Sequence, residues 1–423
     1  MNELTAVNLS DKSLVEEGAK RIKWAESQMP VLMAIRDRFL KEKPFEGLRI
    51  AMCMHITTET AALIRTVSAG GAKIHVCASN PLSTQDDVVS YLNEVDHIPV
   101  FAKSGVDRET YYHHIDQSLA IAPHFVFDDG CDLVTRLHTE HKELLVNVKG
   151  GCEETTTGVV RLRRMAEAGQ LLFPMIAVND TDTKRMFDNR YGTGQSSLDA
   201  IMRATNILFA GKIVVVAGYG YCGKGVAQRA AGLGAQVIVT EIDPKKALDA
   251  LMQGYRVMPM AHAASLGDVF ITVTGNCSVL TDKHFLAMKD DAILANAGHF
   301  DVEVDVKGLR CLAVSSKRDI RHRTEQFNLP NGKNVYLVAE GRLVNLAAAE
   351  GHPASVMDMS FSDQALAAKW LVQNVNNLPA EVVDVPSEID EEVASLKLKS
   401  TGVAIDTLTD QQLDYINSWD SGS

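Results

Sequence analysis

From residue 48 to about residue 180 the chain alternates short apolar runs with stretches whose apolar side chains recur every three to four residues. LRIAMCM from Leu48, KIHVC from Lys73, HFVF from His124, ELLVNV from Glu143 and PMIAV from Pro174 have the length and continuity of strands buried on both faces. Between them, Thr57 to Val67 sets Ala61, Ile64 and, on the next turn, Ser68 near one face, and Thr155 to Ala168 has a similar pattern. Crossover helices fit both stretches, so the alternation predicts a parallel sheet covered by helices.

A second series begins near Gly211 with KIVVVA and continues through QVIVT, DVFITV, AILANA, RCLAV and VYLVA. From about residue 353 the pattern is helical again, with ALAAKWLV apolar at helical spacing, before the acidic, Pro-containing stretch LPAEVVDVPSEIDEE. The expected fold class is α/β: two doubly wound parallel-sheet domains plus a C-terminal helical segment. The first domain is expected over residues 1–185 and 353–388, the second over 186–352, and the C-terminal segment over 389–423.

The turn after KIVVVA carries the first chemistry. Gly218, Gly220 and Gly223 form G-x-G-x-x-G between a β-branched strand and the helical pattern GKGVAQRAAGLGA. The first glycine permits the tight turn, the second lets backbone approach a pyrophosphate, and the third lets helix pack on strand. Glu241 ends the next strand, about 18 residues beyond Gly223, where a carboxylate accepts bonds from a ribose diol and repels a 2′-phosphate. Lys245 and Lys246 lie past Pro244 in a helical start, so NAD is expected rather than NADP. The second domain is therefore a Rossmann NAD-binding domain, and the first is left to hold the substrate.

Bulk properties narrow the rest. With 423 residues, 46% of them hydrophobic and 23% charged, the chain can bury the cores of two or three domains. A net charge of -12 argues against nucleic acid, which is bound through clustered Lys and Arg. The start MNELTAVNLSDKS has no apolar leader and no run approaches a membrane span, so a cytoplasmic location with no membrane partner is expected. Seven scattered cysteines without C-x-x-C read as reduced thiols. The pairs His113-His114 and His138/His141 lack further ligands nearby, so no metal is expected.

In the first series polar residues gather just past the strand ends: His55, then Asp128 and Asp129, then Asn179 and Asp180. Singly each suits a helix cap or solvated loop; together they lie at the edge where open α/β sheets bind ligands. Around them stand M-H-I-T-T-E-T from Met54, S-T-Q-D from Ser83, D-D-G-C-D-L from Asp128, E-E-T-T-T-G-V from Glu153 and K-R-M-F-D-N-R-Y-G from Lys184. Further on come G-Y-G-Y-C-G-K-G, I-T-V-T-G-N, N-A-G-H-F-D and E-G-R-L-V-N-L. In order and spacing, from about residue 10 to the last helix, these blocks resemble the adenosylhomocysteinase family.

The resemblance implies an NAD-dependent enzyme that splits S-adenosylhomocysteine reversibly into adenosine and homocysteine. It implies that Thr57, Glu59, Asp129, Glu154, Lys184 and Asp188 contact adenosine, with His55 beside the ribose. His299 and His352 would lie near the sugar and homocysteine, with His299-Phe300 as an access gate. For NAD it implies Thr155, Thr156, Thr157, Asn189, Asn276 and Asn345, together with Glu241. The glycine loop from Gly218 through Tyr221, Cys222, Lys224 and Gly225, and Ala297, Gly298 and His299 of the later block, complete that set. Homodimers or homotetramers are expected.

Such a cycle explains why a hydrolase needs a redox cofactor. The 4′ hydrogen beside the thioether-bearing carbon is too weak an acid to remove directly. Oxidising the 3′-hydroxyl to a ketone acidifies it, homocysteine leaves, water adds, and reduction returns the sugar. The steps need a base for the 3′-hydroxyl, a base for the 4′ carbon and a proton donor for sulfur. Lys184, with Asp188 four residues on, suits the first if burial lowers its pKa. Asp129 and His55 suit the other two, in either order.

Three positions depart from longer family members: Thr193 stands where Cys is usual, Glu350 where Met is common, and Tyr221-Cys222 fill the glycine loop. The ending LDYINSWDSGS lacks the Lys- and Tyr-rich tail that reaches a neighbouring subunit's cofactor, which puts that contact in doubt. Three rival readings stand beside the main one. The same chemistry on S-inosylhomocysteine is opposed by Glu59, a natural acceptor for the adenine amine. A 2-hydroxyacid dehydrogenase leaves the substrate-side blocks unexplained. A non-catalytic NAD-binding regulator would have lost His55, Asp129, Lys184 or Asp188, and all four are present.

Overall fold

The computed structural model describes residues 11–419, so residues 1–10 of the expected first domain and 420–423 of the C-terminal segment lie outside it. Six strands come first: β1 (Arg49–Met54), β2 (Lys73–Ala78), β3 (Val100–Phe101), β4 (Phe125–Asp128), β5 (Gly150–Glu153) and β6 (Met175–Ala177). Eight follow: β7 (Ile213–Ala217), β8 (Gln236–Thr240), β9 (Arg256–Val257), β10 (Val269–Thr272), β11 (Ala292–Asn296), β12 (Ser315–Arg321), β13 (Thr324–Asn328) and β14 (Asn334–Val338). The last, β15, spans Val382–Asp384.

The first sheet is parallel throughout, in the order β15-β6-β5-β4-β1-β2-β3. The chain winds outward from β1 to β3, returns to β4, and winds the other way. A crevice therefore opens past the ends of β1 and β4, which pair Cys53 with Asp128. Ile50 to Met54 are all buried, which is why β1 reads as an unbroken apolar run. The second sheet runs β12-β13-β14-β11-β10-β7-β8-β9, with its reversal between β7 and β10. Both reversals face one shared space.

Two expected strands are corrected. ELLVNV is a sequence of tight turns, including a 3-10 turn at Lys142–Leu144, with Leu144 and Leu145 against the core and Val146 exposed. The place beside β4 goes instead to the segment Gly150–Glu153. A side chain at Gly151 would put its Cβ 2.5 Å from Val126 Cγ2 and 2.7 Å from Met175 Sδ, so only glycine fits between the neighbouring strands. RCLAV falls on the end of a helix, Val306–Leu312, started by Asp305 accepting from the Gly308 N–H at 2.9 Å. The strand follows as β12, antiparallel to β13, which is antiparallel to β14. The second sheet thus ends in an antiparallel edge.

Two helices, Lys12–Ser27 and Pro30–Glu42, precede β1. The buried helix Ala354–Asn374 returns to the first sheet, where Asp358 accepts from the Leu32 N–H at 2.9 Å and pairs with Lys397 at 2.8 Å. Lys397 belongs to the helix Ser387–Ser400, which packs on Ala354–Asn374 with Val393 buried. Among the described residues, no helix is long and apolar enough to cross a membrane.

Candidate active site

His55 leaves the end of β1 immediately before the helix Thr58–Ala69, whose N-cap is Thr57. Its Nδ1 lies 2.6 Å from Ser83 Oγ, and that hydroxyl donates its one hydrogen to the Asn80 carbonyl at 2.9 Å. With the hydroxyl hydrogen so directed, Nδ1 is the donor and Nε2 is bare. That atom lies 3.6 Å from Asp129 Oδ2. Burial, helped by His352, pushes His55 down to about 3, while burial raises the Asp129 carboxyl. Atoms of His55, Asp129 and His299 lie within 4.8 Å of one another, a spacing that one bridging water or substrate hydroxyl spans. His138 and His141, by contrast, bond the Val134 carbonyl at 2.8 Å and Asp116 at 2.7 Å.

The turn that presents Asp129 is held from beneath. Asp128 accepts from the Asp129 N–H at 3.0 Å and the Val134 N–H at 2.8 Å. One oxygen of Glu153 accepts from the N–H groups of Gly130, at 2.8 Å, and Thr155, at 3.0 Å, tying the ends of β4 and β5 together. Both carboxyls are fully buried; burial lifts Asp128 to about 7 and Glu153 well above its ordinary range. They are scaffold. Gly130 has φ +114°, and a Cβ there would lie 2.5 Å from His299 Nε2.

Lys184 ends a polar web past β6. Its ammonium lies 3.0 Å from Asn189 Oδ1, 3.4 Å from Asn179 Oδ1, 3.4 Å from Asp188 and 3.8 Å from Glu154. The condition that burial lower its pKa is not met: burial does act downward, but Asp188, Glu154 and Asp129 together outweigh it and hold the ammonium above its ordinary range. Asp188 is itself kept ionised, because Lys184 and His352 outweigh its burial and Ser360 donates to it at 2.8 Å. His352 bonds Asp188 through Nδ1 at 3.2 Å and Thr193 Oγ1 through Nε2 at 3.2 Å. Thr193 thus gains a positioning contact that its residue type alone did not reveal. Both oxygens of Glu154 are buried without a hydrogen-bond partner, and burial raises that carboxyl well above its ordinary range.

The acid and base groups share one cavity of about 1260 Å³ that continues into the second crevice. Thr57 and Glu59 line it, with His55, Asp129, Glu154, Lys184, Asp188, His299 and His352. So do Thr155, Thr156, Thr157, Asn189, Glu241, Asn276, Ala297, Gly298 and Asn345. Of the loop, Gly218, Gly220, Tyr221 and Cys222 reach it. Gly223, Lys224 and Gly225 lie outside its lining, and Gly223 takes the packing role expected of the third glycine. A Cβ on Gly223 would strike the Gly218 carbonyl and one on Gly225 the Arg190 carbonyl, so both serve close packing, while Lys224 pairs with Asp249 at 2.7 Å. Glu350 also lies outside the cavity lining, 3.4 Å from both Arg21 and Arg203.

The second crevice fits a dinucleotide. A Cβ on Gly220 would meet nothing within 4 Å, so the loop leaves open space ahead of the helix Tyr221–Gly232. Glu241 accepts from the N–H groups of Tyr219 and Ile242, each at 2.7 Å, which fixes its carboxylate while leaving lone pairs for a ribose diol. Asn345 donates to Ser196 Oγ at 3.1 Å, and its buried Oδ1 has no hydrogen-bond partner. Asn296, at the end of β11, donates to the carbonyls of Gly298 at 3.1 Å and Phe300 at 2.8 Å, setting the course of the His299-Phe300 segment.

Residues 189–351 match the family model described as S-adenosyl-L-homocysteine hydrolase, NAD binding domain, and residues 6–146 match S-adenosyl-L-homocysteine hydrolase. A protein of Aquifex aeolicus (strain VF5) named adenosylhomocysteinase is 59% identical over 98% of this chain and 99% of its own length. One of that name from Thermosynechococcus vestitus (strain NIES-2133 / IAM M-273 / BP-1) is 56% identical over 98% of this chain and 97% of its own. A Methanosarcina mazei protein named S-inosyl-L-homocysteine hydrolase is 52% identical over 98% of this chain and 100% of its own length.

Proposed function

The chain belongs to the adenosylhomocysteinase family, and from that premise we propose that it hydrolyses S-adenosyl-L-homocysteine reversibly to adenosine and L-homocysteine with NAD held in the second crevice. One observation carries the reading: the buried acid, base and carboxylate set of His55, Asp129, Glu154, Lys184 and Asp188 shares a single cavity with the glycine loop. Family membership removes the 2-hydroxyacid dehydrogenase and the non-catalytic regulator as competing readings.

Bound NAD supplies the oxidation of the 3′-hydroxyl and its later reversal. Glu154, its oxygens free of protein hydrogen bonds, takes the ribose hydroxyls. Lys184 receives the 3′-hydroxyl proton from its neutral form, a minority form near pH 7, and the surrounding carboxylates stabilise the ammonium it becomes. Asp188 keeps that charge balanced and is steadied by His352 and Ser360. His55 and Asp129, 3.6 Å apart, share one proton, one group taking the 4′ proton and the other protonating the leaving sulfur. His299 and Phe300 close the cavity against bulk water.

Glu59 sits beside Thr57 on the cavity wall and accepts from Thr58 Oγ1 at 3.0 Å. As a carboxylate it accepts from the adenine amine. Burial raises its pKa, however, and a protonated Glu59 would suit the carbonyl of an inosyl base instead, which keeps the S-inosyl substrate as the second reading. The kcat/KM ratio for the two thioethers decides: a wide margin for the adenosyl compound supports the main reading, and parity or reversal moves the assignment.

A cytoplasmic location and homodimers or homotetramers belong to the same reading. The oligomer is supported by the exposed apolar side chains of Ile405, Leu408, Ile416 and Trp419 near the end of the described residues.

A further inference from the structure

Arg161 lies in the helix Thr156–Glu167, outside the cavity lining. Its Nη1 donates to the Gly130 carbonyl and, at 2.7 Å, to Asp132 Oδ1; its Nη2 donates to Thr135 Oγ1 at 3.1 Å. Asp132 is anchored in turn by the Tyr111 hydroxyl at 3.1 Å. A planar guanidinium gripped by three acceptors cannot swing, and one face remains for a ring. That ring is Phe300, with its centroid 5.8 Å from Arg161 Cζ, within cation-π reach.

The partners divide between the two halves of the molecule. Gly130, Asp132 and Thr135 follow β4 of the first sheet, whereas Phe300 follows β11 of the second. Gly130, whose carbonyl Arg161 holds, is also the residue whose α-carbon abuts His299. His299 in turn stands edge-on to Phe300, with centroids 4.7 Å apart. Arg161 therefore touches the gate pair from both sides, directly at Phe300 and through Gly130 at His299.

We propose that Arg161 is a positioning residue for the gate, a latch that holds Phe300 and His299 closed over the substrate cavity and so sets how fast adenosine leaves. The assignment rests on the reading that His299 and Phe300 close that cavity. Burial, His55 and, more weakly, Arg161 keep His299 neutral against Asp129 and Asp132. A neutral imidazole packs against a glycine backbone without a charge to desolvate.

The test is a double-mutant cycle on the NAD-loaded protein, with release of labelled adenosine followed after a chase of unlabelled adenosine. Arg161→Met keeps the apolar stem and removes the charge; Phe300→Leu removes the ring. Each is expected to speed release by about 3- to 30-fold, the range of a partly desolvated cation-π contact, and the double variant to be no faster than the faster single one. Cofactor reduction on adenosine binding, read by near-ultraviolet absorbance, should stay within about 2-fold of wild type in Arg161→Met, which a general packing defect would not allow. Multiplying effects, or an unchanged release rate in Arg161→Met, overturns the latch. An unchanged rate in Phe300→Leu overturns the gate reading itself. If Arg161→Met does not retain NAD, the same cycle with Arg161→Gln, which removes the charge but keeps a polar group for the Gly130 turn, decides by the same criterion.

Discussion

Replacing Asp188 with Asn removes one negative charge 3.4 Å from the Lys184 ammonium while keeping the side chain's shape. Both side chains are almost wholly enclosed, 5% and 3% exposed, so solvent screens the pair little. At an effective dielectric of about 20, unit charges at that separation interact by about 5 kcal/mol, a ceiling of roughly 3 to 4 pKa units. Glu154 and Asp129 remain, so a fall of about 2 units in the Lys184 pKa is the working expectation. The sign follows from the role. If neutral Lys184 accepts the 3′-hydroxyl proton and its pKa is raised, the active form is scarce at neutral pH. The rate of cofactor reduction on adenosine binding should then climb about tenfold per pH unit through pH 9 in wild type. In Asp188→Asn the rising limb should move about 2 units toward acid. Stopped-flow absorbance of reduced nicotinamide from about pH 6 to 10 reads both, at constant NAD occupancy. A wild-type rate flat from pH 7 to 9, with the variant's profile unmoved, would refute the assignment of Lys184.

Three further outcomes follow from separate contacts. Ser83→Ala removes the acceptor that holds the His55 Nδ1 hydrogen, and should lower kcat about 10- to 100-fold with NAD still bound; full activity would show that the tautomer is set elsewhere. Gly130→Ala places a methyl group 2.5 Å from His299 Nε2 at a positive φ, and should cost about 1 to 3 kcal/mol in thermal or denaturant unfolding besides displacing the gate; a neutral effect on both would contradict the packing. Glu241→Ala should weaken NAD binding and reduce discrimination against NADP, and titration with each nucleotide measures it.

What could be read in the chain, and what could not, divides along physical lines. His55 and Asp129 follow expected strand ends, and the glycine loop sits between a β-branched strand and a helix, so sequence position alone placed them at a ligand edge, whereas Glu154 and Lys184 came from the family resemblance. The condition placed on Lys184 fails because burial is outweighed first by Asp188, visible four residues on, and then by Glu154 and Asp129, which arrive from other strands. β5 escaped notice because Gly150–Glu153 carries no β-branched residue. Its Gly151 answers to Val126 and Met175 on neighbouring strands. ELLVNV and RCLAV were apolar for the opposite reason, to pack turns and a helix end beside the sheet. Ser83 and Arg161 act through other residues, His55 and Phe300, at distances that only the folded chain defines.

The central claim is that thioether hydrolysis runs through a 3′-oxidised sugar made with the protein's own NAD. The direct measurement is exchange at the 4′ carbon: desalted protein, with no nicotinamide added, is incubated with adenosine in deuterium oxide and the recovered nucleoside is examined by NMR. The account predicts deuterium at the 4′ position together with near-ultraviolet absorbance of enzyme-bound reduced cofactor. Protein that joins adenosine and homocysteine while leaving the 4′ hydrogen unexchanged would contradict it.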